Sequence, residues 1–147
     1  MKNEQNSMVI DHIGIAVKSI ENGIKHWEKL FGYKQMTKII VNSRQKVKVV
    51  FLNKNNSISI KLIEPTDKTS PIYVFTKRGG GLHHLCIKCN DLESEIERMQ
   101  ELGIRVLAKP EPGEAFGNEN IAFVYAGAGM NVELIDTKVR AGLLNMN

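Results

Sequence analysis

The chain has 147 residues and lacks the features of several protein classes. Its two cysteines are too few for a disulfide framework, and its polar opening MKNEQNS has no secretory signal core, so we expect a cytoplasmic protein. No apolar run approaches the roughly 18 residues of a membrane-spanning helix, so we expect no membrane partner. One Trp, three Tyr and five Phe offer few stacking platforms for bases, so we expect no nucleic-acid partner.

Negative charge is missing from one long stretch of the chain. The formal net charge is +4, but no Asp or Glu stands between Glu28 and Glu64. The basic residues in that stretch are Lys29, Lys34, Lys38, Arg44, Lys46, Lys48, Lys54 and Lys61. Such an asymmetry favours either an anionic ligand or a solvated basic face, and both interpretations remain open from composition alone.

The two halves of the chain repeat each other at an offset of 72 residues. Residues 11–30 align with 83–102, which pairs His12 with His84. Residues 48–64 align with 120–136 at the same offset, which pairs Lys61 with Glu133. The recurrence of one offset in two separate blocks predicts a duplicated module of about 60 residues.

Each module follows a β-α-β-β-β pattern. Ser19 and Asp91 are N-cap residues placed before apolar residues at helical spacing, and Gly32 and Gly103 are suited to end the two helices. Strands are predicted at the start of each module and then near 36–43, 46–53, 57–64, 104–108, 119–125 and 130–136. We therefore expect an α+β fold.

The segments between and after the modules complete the predicted organisation. We expect residues 1–147 to form a single domain, with module one at 8–64, a linker at 65–81, module two at 82–136 and a C-terminal tail at 137–147. In the linker, Ser70 and Pro71 are suited to start a short helix. The Pro- and Gly-rich residues 109–118 predict a loop over a site.

Strand parity selects the side chains that can meet. Residues two apart share a face of a strand, so His12 lies with Gly14, while His83 is expected to point away from His84. If the modules pack about a pseudo-twofold axis, the four residues paired by the repeat converge. These residues are His12, Lys61, His84 and Glu133.

Three motifs carry a resemblance to a known family. IDHIGIAV at the first strand, GGGLHHLCI at the start of module two and NVELID at the last strand resemble the vicinal oxygen chelate superfamily of glyoxalases, bleomycin resistance proteins and dioxygenases. The resemblance runs from Ile10 to Asp136 and is greatest to methylmalonyl-CoA epimerases. It implies two tandem βαβββ modules forming an open, curved mixed sheet around a central cavity, and by family analogy a homodimer.

The resemblance also implies a divalent metal held between the modules. The matching ligands are His12, His84 and Glu133, and the fourth ligand position holds Lys61. An ammonium group donates hydrogen bonds and has no lone pair for a metal. Three alternatives stay open: a metal bound by three residues and water, an ammonium that replaces the metal charge, or a structural remnant that binds nothing.

The function implied by the resemblance is that of an isomerase or lyase. Such an enzyme stabilises an enolate of a small anionic substrate, with acyl-CoA as a candidate, while positioned groups move a proton. Glu133 is one predicted base, and Lys61 is the substitute for the second. The alternative function is a non-catalytic module that binds small molecules without metal, like the drug-sequestering members of the superfamily.

Overall fold

The computed structural model describes residues 7–144. Its elements are β1 (Val9–Ala16), α1 (Ile20–Phe31), β2 (Lys34–Gln35), β3 (Ile40–Asn42), β4 (Val47–Asn53), β5 (Ser59–Pro65), α2 (Tyr73–Lys77), β6 (Gly81–Lys88), α3 (Leu92–Glu101), β7 (Arg105–Pro112), β8 (Asn120–Tyr125) and β9 (Asn131–Ile135). A short 3-10 turn, Glu114–Phe116, lies between β7 and β8. Residues 1–6 of the polar opening and residues 145–147 of the predicted tail lie outside the described residues.

The strands form one nine-stranded mixed sheet. Its order is β2–β4–β5–β1–β6–β9–β8–β7, and β3 also pairs with β4. In each module the first strand lies at the centre of the sheet and pairs in parallel with the last strand. These pairs are β1 with β5 and β6 with β9. The two central strands, β1 and β6, are antiparallel and join the halves. The predicted α+β fold with an open mixed sheet is therefore confirmed.

The strand registers reproduce the sequence repeat. His12 lies opposite Ser59 in module one, and His84 lies opposite Asn131 in module two. The residue numbers of the second pair exceed those of the first by 72. The same shift relates Lys61, which pairs with Phe51, to Glu133, which pairs with Phe123. Because a slip of one residue would turn every side chain to the other face, matched registers place Lys61 and Glu133 on equivalent positions.

Both long helices begin with the predicted caps. The Ser19 side chain accepts a hydrogen bond from the Asn22 N–H, and the Asp91 side chain accepts one from the Ser94 N–H. Gly32 ends α1 in the left-handed conformation, with φ 72°, which is favourable for a residue without Cβ.

A carboxylate from the end of the last strand of each module also supports each helix start. Glu64 Oε1 accepts a hydrogen bond from the Ile20 N–H at 2.8 Å, and Asp136 Oδ2 accepts one from the Leu92 N–H at 2.9 Å. The two bonds are related by the repeat and connect the end of each last strand to its helix. Glu64 is therefore engaged at the helix start, where a carboxylate stabilises the unpaired N–H groups.

Three local expectations were wrong. Of the predicted strand 36–43, only β3 (Ile40–Asn42) is a strand, and the short strand β2 (Lys34–Gln35) lies before that range; both pair with β4. The short linker helix begins at Tyr73 rather than next to Ser70, because the Tyr73 N–H bonds to the Ser70 carbonyl in a turn. Residues 109–112 belong to β7 rather than to a loop, because β7 continues its pairing with β8 as far as Pro112.

The core has separate clusters associated with the helices and with the site. Ile20 and Ile24 of α1 belong to one cluster, and Ile96 of α3 belongs to another. A third cluster contains Phe51 and Phe116, both buried, and it lies beside the predicted site. Among the helices of residues 7–144, none is long and apolar enough to span a membrane.

Candidate functional site

A cavity of about 310 Å³ is lined by residues of both modules. The polar side chains that line it include Asn42, Gln45, Lys61, His83, His84 and Glu111. Apolar side chains such as Val47, Ile63 and Phe123 supply much of the remaining wall. The mixture of an apolar wall with a few polar groups is typical of a small-molecule site.

The structure brings together the four residues paired by the repeat. Lys61 Nζ donates to Glu133 Oε2 at 3.0 Å and to Glu133 Oε1 at 3.2 Å. Lys61 is 2% exposed and Glu133 is fully buried. Lys61 lines the cavity, whereas Glu133 is not among the residues that do. Lys61 therefore belongs to the cavity wall, whereas its partner Glu133 is buried and does not contribute to the lining.

His12 lies between two carboxylates. Its Nε2 is 2.8 Å from Glu133 Oε1, and its Nδ1 is 2.7 Å from Asp11 Oδ2. Both distances are those of hydrogen bonds, and the two carboxylates hold the imidazole from opposite ring nitrogens. His12 is fully buried, so its position depends on this bridge and on the aromatic rings beside it.

Arg140 from the C-terminal segment completes the network behind the site. Its guanidinium donates to Asp11 Oδ2 and lies 4.7 Å from the Phe51 ring centroid and 4.8 Å from that of Phe116. Lys61 Nζ is 5.1 Å from the same Phe116 ring. Both cations therefore gain stabilisation from an aromatic face in addition to their carboxylate partners.

His84 occupies the space above Gly14. A Cβ added to Gly14 would lie 2.1 Å from His84 Cε1, so no larger residue fits at this position without moving the ring. His84 Nε2 is 3.2 Å from Glu133 Oε1, but it makes no hydrogen bond of acceptable geometry within residues 7–144. Burial lowers the pKa of His84 to about 4, although the Glu133 carboxylate acts in the opposite direction.

His83 does not point away from His84 as strand parity predicts. Gly14 pairs with His84 and Ile15 pairs with Leu82, so His83 is the extra residue of a β-bulge. A bulge breaks the alternation of side chains. His83 Nδ1 consequently lies 2.8 Å from His84 Nδ1, and both imidazoles line the cavity. Burial and then the nearby Lys61 lower the pKa of His83.

Glu111 is a second cavity residue that the sequence analysis did not select. It lies in the part of β7 that had been predicted to be a loop, and it accepts a hydrogen bond from Gln45 Nε2 at 3.0 Å. No motif marks this position, because its approach to the cavity depends on the pairing of β7 with β8. It supplies the cavity with a carboxylate that the acid-free stretch of module one lacks.

The environment of Glu133 keeps it ionised. Burial by itself would raise the pKa of this carboxyl, but the Lys61 ammonium and the hydrogen bond with His12 hold the pKa well below its ordinary value of 4.5. A carboxylate with a low pKa is a weak proton acceptor. Its role as a base therefore remains a prediction, while its pairing with Lys61 is a feature of the structure.

Glu133 and the side chains around it include three candidate ligands for a divalent metal and one cation. His12, His84 and Glu133 offer ligand atoms within 4.8 Å of one another. The fourth side chain, however, places an ammonium on both oxygens of the only carboxylate in this set. A divalent ion bound to Glu133 would lie next to that positive charge. The residues present therefore do not fit a resident divalent metal while Lys61 is protonated.

Comparisons with known proteins agree with this architecture. The chain is 33% identical to the uncharacterized protein YqjC of Bacillus subtilis (strain 168), over 88% of this chain and 92% of that protein. It superposes on the crystal structure of methylmalonyl-CoA epimerase from Mycobacterium tuberculosis with a TM-score of 0.78 and 27% identity, covering 87% of each chain.

A further structural relative is a methylmalonyl-CoA epimerase in complex with methylmalonyl-CoA and NH4+. Its TM-score is 0.76 with 26% identity, covering 89% of this chain and 96% of that one. A family model described as Glyoxalase/Bleomycin resistance protein/Dioxygenase superfamily matches residues 11–123. The repeat, the sheet and these matches together establish that the chain belongs to the Glyoxalase/Bleomycin resistance protein/Dioxygenase superfamily.

Proposed function

We propose that this protein is a proton-transfer enzyme of the isomerase or lyase type that acts on a small anionic acyl thioester, with CoA as the carrier. One observation carries the proposal: a buried lysine, Lys61, is among the residues that line a cavity between the two modules. In such a site a fixed positive charge stabilises the negative charge that develops on a substrate oxygen.

Lys61 has the capacity to bind a substrate oxygen directly. An ammonium group has three N–H donors, and two of them are directed to Glu133. Within residues 7–144 the third has no hydrogen-bond partner, and we propose that it donates to the thioester oxygen of a bound substrate. When the proton next to the thioester is removed, the electron pair of that C–H bond delocalises onto this oxygen and forms an enolate. Lys61 then lies against the new charge.

Two kinds of proton acceptor line the same cavity. His83 and His84 come from β6, and Glu111 comes from β7. These strands are separated by β9 and β8 in the sheet, so the groups approach a substrate from different directions. We propose that a group from one of these two strands takes the proton from the substrate carbon. A group from the other strand, already protonated from water, then donates its proton to that carbon. A return from the opposite face inverts the carbon centre.

The relatives support the substrate class and the use of a monovalent cation. One epimerase of the same fold was crystallised with methylmalonyl-CoA and NH4+. The side-chain ammonium of Lys61 has the same charge and the same donor chemistry as that ion. We propose that in this chain the cation is covalently attached, and that a divalent metal is not required.

Deuterium exchange tests the proposal. The wild-type protein is incubated with methylmalonyl-CoA or ethylmalonyl-CoA in deuterated water, after removal of metals with a chelator, and exchange at the carbon next to the thioester is followed by NMR. We expect enzyme-dependent exchange, which Lys61→Met lowers by about 100- to 1000-fold, because one charge-stabilising donor is removed. Lys25→Met, which changes an exposed lysine, is the matched control.

The outcomes separate the two candidate functions. Exchange that needs added metal, or that survives Lys61→Met, would overturn the role given to Lys61. Binding of the thioesters without exchange would favour the non-catalytic binding module, because the cavity itself would then be the function. Absence of both binding and exchange would exclude this substrate class.

Two further expectations belong to this proposal. The two cysteines, Cys86 and Cys89, are both free, which is compatible with a reducing cytoplasmic location. We also propose a homodimer, which sedimentation analysis of the purified protein would test against a monomer.

A further inference from the structure

Asn42 presents a buried hydrogen-bond donor to the cavity. Its Oδ1 accepts a hydrogen bond from the Ala115 N–H at 2.7 Å, and an N–H group can only donate. The orientation of the amide is therefore determined by its partner, with Nδ2 on the other side. Asn42 is 1% exposed, and its Nδ2 has no hydrogen-bond partner within residues 7–144.

Gln45 presents the opposite polarity in the same cavity wall. Its Nε2 donates to Glu111 Oε1 at 3.0 Å, and a carboxylate oxygen can only accept. This partner determines the orientation of the second amide, with Oε1 as the remaining atom. Gln45 Oε1 is buried and has no partner in the described part of the chain.

An unpaired buried donor and an unpaired buried acceptor lie close together in the sequence. Asn42 ends β3, and Gln45 lies in the turn that leads to Val47 at the start of β4. Buried polar atoms in folded proteins are nearly always paired, since each unpaired one carries a desolvation cost. Both residues line the cavity. Because the two unpaired atoms themselves are buried, a ligand reaches them only when the side chains move slightly toward it.

We propose that Asn42 and Gln45 together bind a secondary amide of the ligand. The amide oxygen accepts from Asn42 Nδ2, and the amide N–H donates to Gln45 Oε1. This inference rests on the proposed function, because the carrier arm of a CoA thioester has such an amide two methylene groups from the sulfur. The pair positions the carrier arm and takes no part in the proton transfer.

Three methylmalonyl thioesters separate the two hydrogen bonds. The first carries N-acetylcysteamine and has the amide. The second replaces the N–H by an ester oxygen, and the third replaces the whole group by an alkyl chain of equal length. For the wild-type protein, titration calorimetry should show the amide binding about three- to tenfold more tightly than the ester, and the ester about three- to tenfold more tightly than the alkyl compound.

Two variants test which residue makes each of the two proposed hydrogen bonds to the ligand amide. Asn42→Asp keeps the oxygen that accepts from Ala115 and removes the donor, so the preference for the ester over the alkyl compound should disappear. Gln45→Met removes the acceptor, so the preference for the amide over the ester should disappear. Circular dichroism checks that each variant is folded. If a variant is unfolded, the comparison of the three ligands on the wild-type protein still tests the amide site.

The results distinguish this inference from the proposed function. Equal affinities of the three thioesters for the wild type would overturn the amide site and leave the proposed function intact. Equal losses for all three ligands in Asn42→Asp would also overturn it, because the effect would not depend on the amide. If none of the three binds while methylmalonyl-CoA does, this inference alone is overturned, because the amide would then contribute no measurable affinity. If methylmalonyl-CoA also fails to bind, the proposed function is lost with it.

Discussion

Lys61 and Glu133 form a buried ion pair between residues 72 positions apart, which is the offset of the internal repeat. The duplicated module thus has a cation in one copy and an anion at the equivalent place in the other. Each charge has its counter-charge within 3.2 Å, and both are removed from water. We expect this pair to influence the metal affinity, the stability and the proposed activity of the site.

Replacing Lys61 by Gln should create a metal site. The substitution removes the ammonium and offers an amide oxygen beside His12, His84 and Glu133. We expect the affinity for Co²⁺ or Zn²⁺ to rise by at least about tenfold, because repulsion is removed and a ligand is added. Titration calorimetry and metal analysis after dialysis measure the change.

A charge control belongs with that experiment. Lys25→Gln makes the same change at an exposed lysine, so its metal affinity should equal that of the wild type. Stoichiometric metal in the untreated wild-type protein, or equal affinity in wild type and Lys61→Gln, would show that the ammonium does not exclude the ion.

Breaking the ion pair should cost more than removing both charges. Lys61→Met leaves Glu133 buried without its main counter-charge, and Glu133→Gln leaves Lys61 in the same condition. Each single variant should lower the free energy of unfolding by about 3–5 kcal/mol, and the double variant should lose less than either single variant. Urea denaturation of the four proteins measures the coupling. Strictly additive losses would mean that the pair has no coupling energy.

Acid should destabilise the protein in a window defined by His84. The ordinary pKa of histidine is 6.5, and burial lowers that of His84 to about 4. Between these values the unfolded chain binds a proton that the folded chain does not, so the free energy of unfolding falls as the pH falls from 6.5 to 4. The full effect is about 3 kcal/mol. Urea denaturation at several pH values measures the slope.

The variant His84→Gln isolates this contribution. It cannot titrate in this range, so its stability should change less with pH between 6.5 and 4 than that of the wild type. A second loss is expected below pH 4.5, where protonation of Glu133 begins in the unfolded chain, since its folded pKa is well below that value. An unchanged slope in His84→Gln would exclude His84 as the origin of the first loss.

Gly14 should not tolerate a methyl group. An added Cβ would lie 2.1 to 2.4 Å from three atoms of the His84 ring, so Gly14→Ala has to displace that ring. We expect a loss of about 1–3 kcal/mol in the free energy of unfolding, as for other overpacked cores. The NMR signals of the His84 imidazole should shift as well.

Gly23→Ala is the matched control for this change. Gly23 lies within α1, and its added Cβ would be 3.0 Å from the flexible Leu62 Cδ1. Alanine favours a helix over glycine by about 1 kcal/mol, which offsets the crowding. The His84 signals should be the same as in the wild type. An undisturbed His84 in Gly14→Ala would contradict the close packing of the two residues.

Local and repeated signals were sufficient for the order and equivalence of most helices and strands, whereas the open mixed sheet was implied by the family resemblance. Helix caps depend on residues within one turn, and Ser19 and Asp91 were found at the starts of α1 and α3. The offset of 72 predicted which strands are equivalent, and the observed registers follow it. The bounds of β2 and β3 were less predictable, because they depend on how each strand pairs with β4.

For the site, the sequence by itself determined the identity and equivalence of His12, His84, Lys61 and Glu133, since an aligned repeat names its members without a structure. The tertiary structure decided how they are used. Pairing of β1 with β6 creates the bulge that turns His83 into the cavity, and the extension of β7 brings Glu111 there. These outcomes depend on hydrogen bonds between strands far apart in the chain, and no local pattern in the sequence contains them.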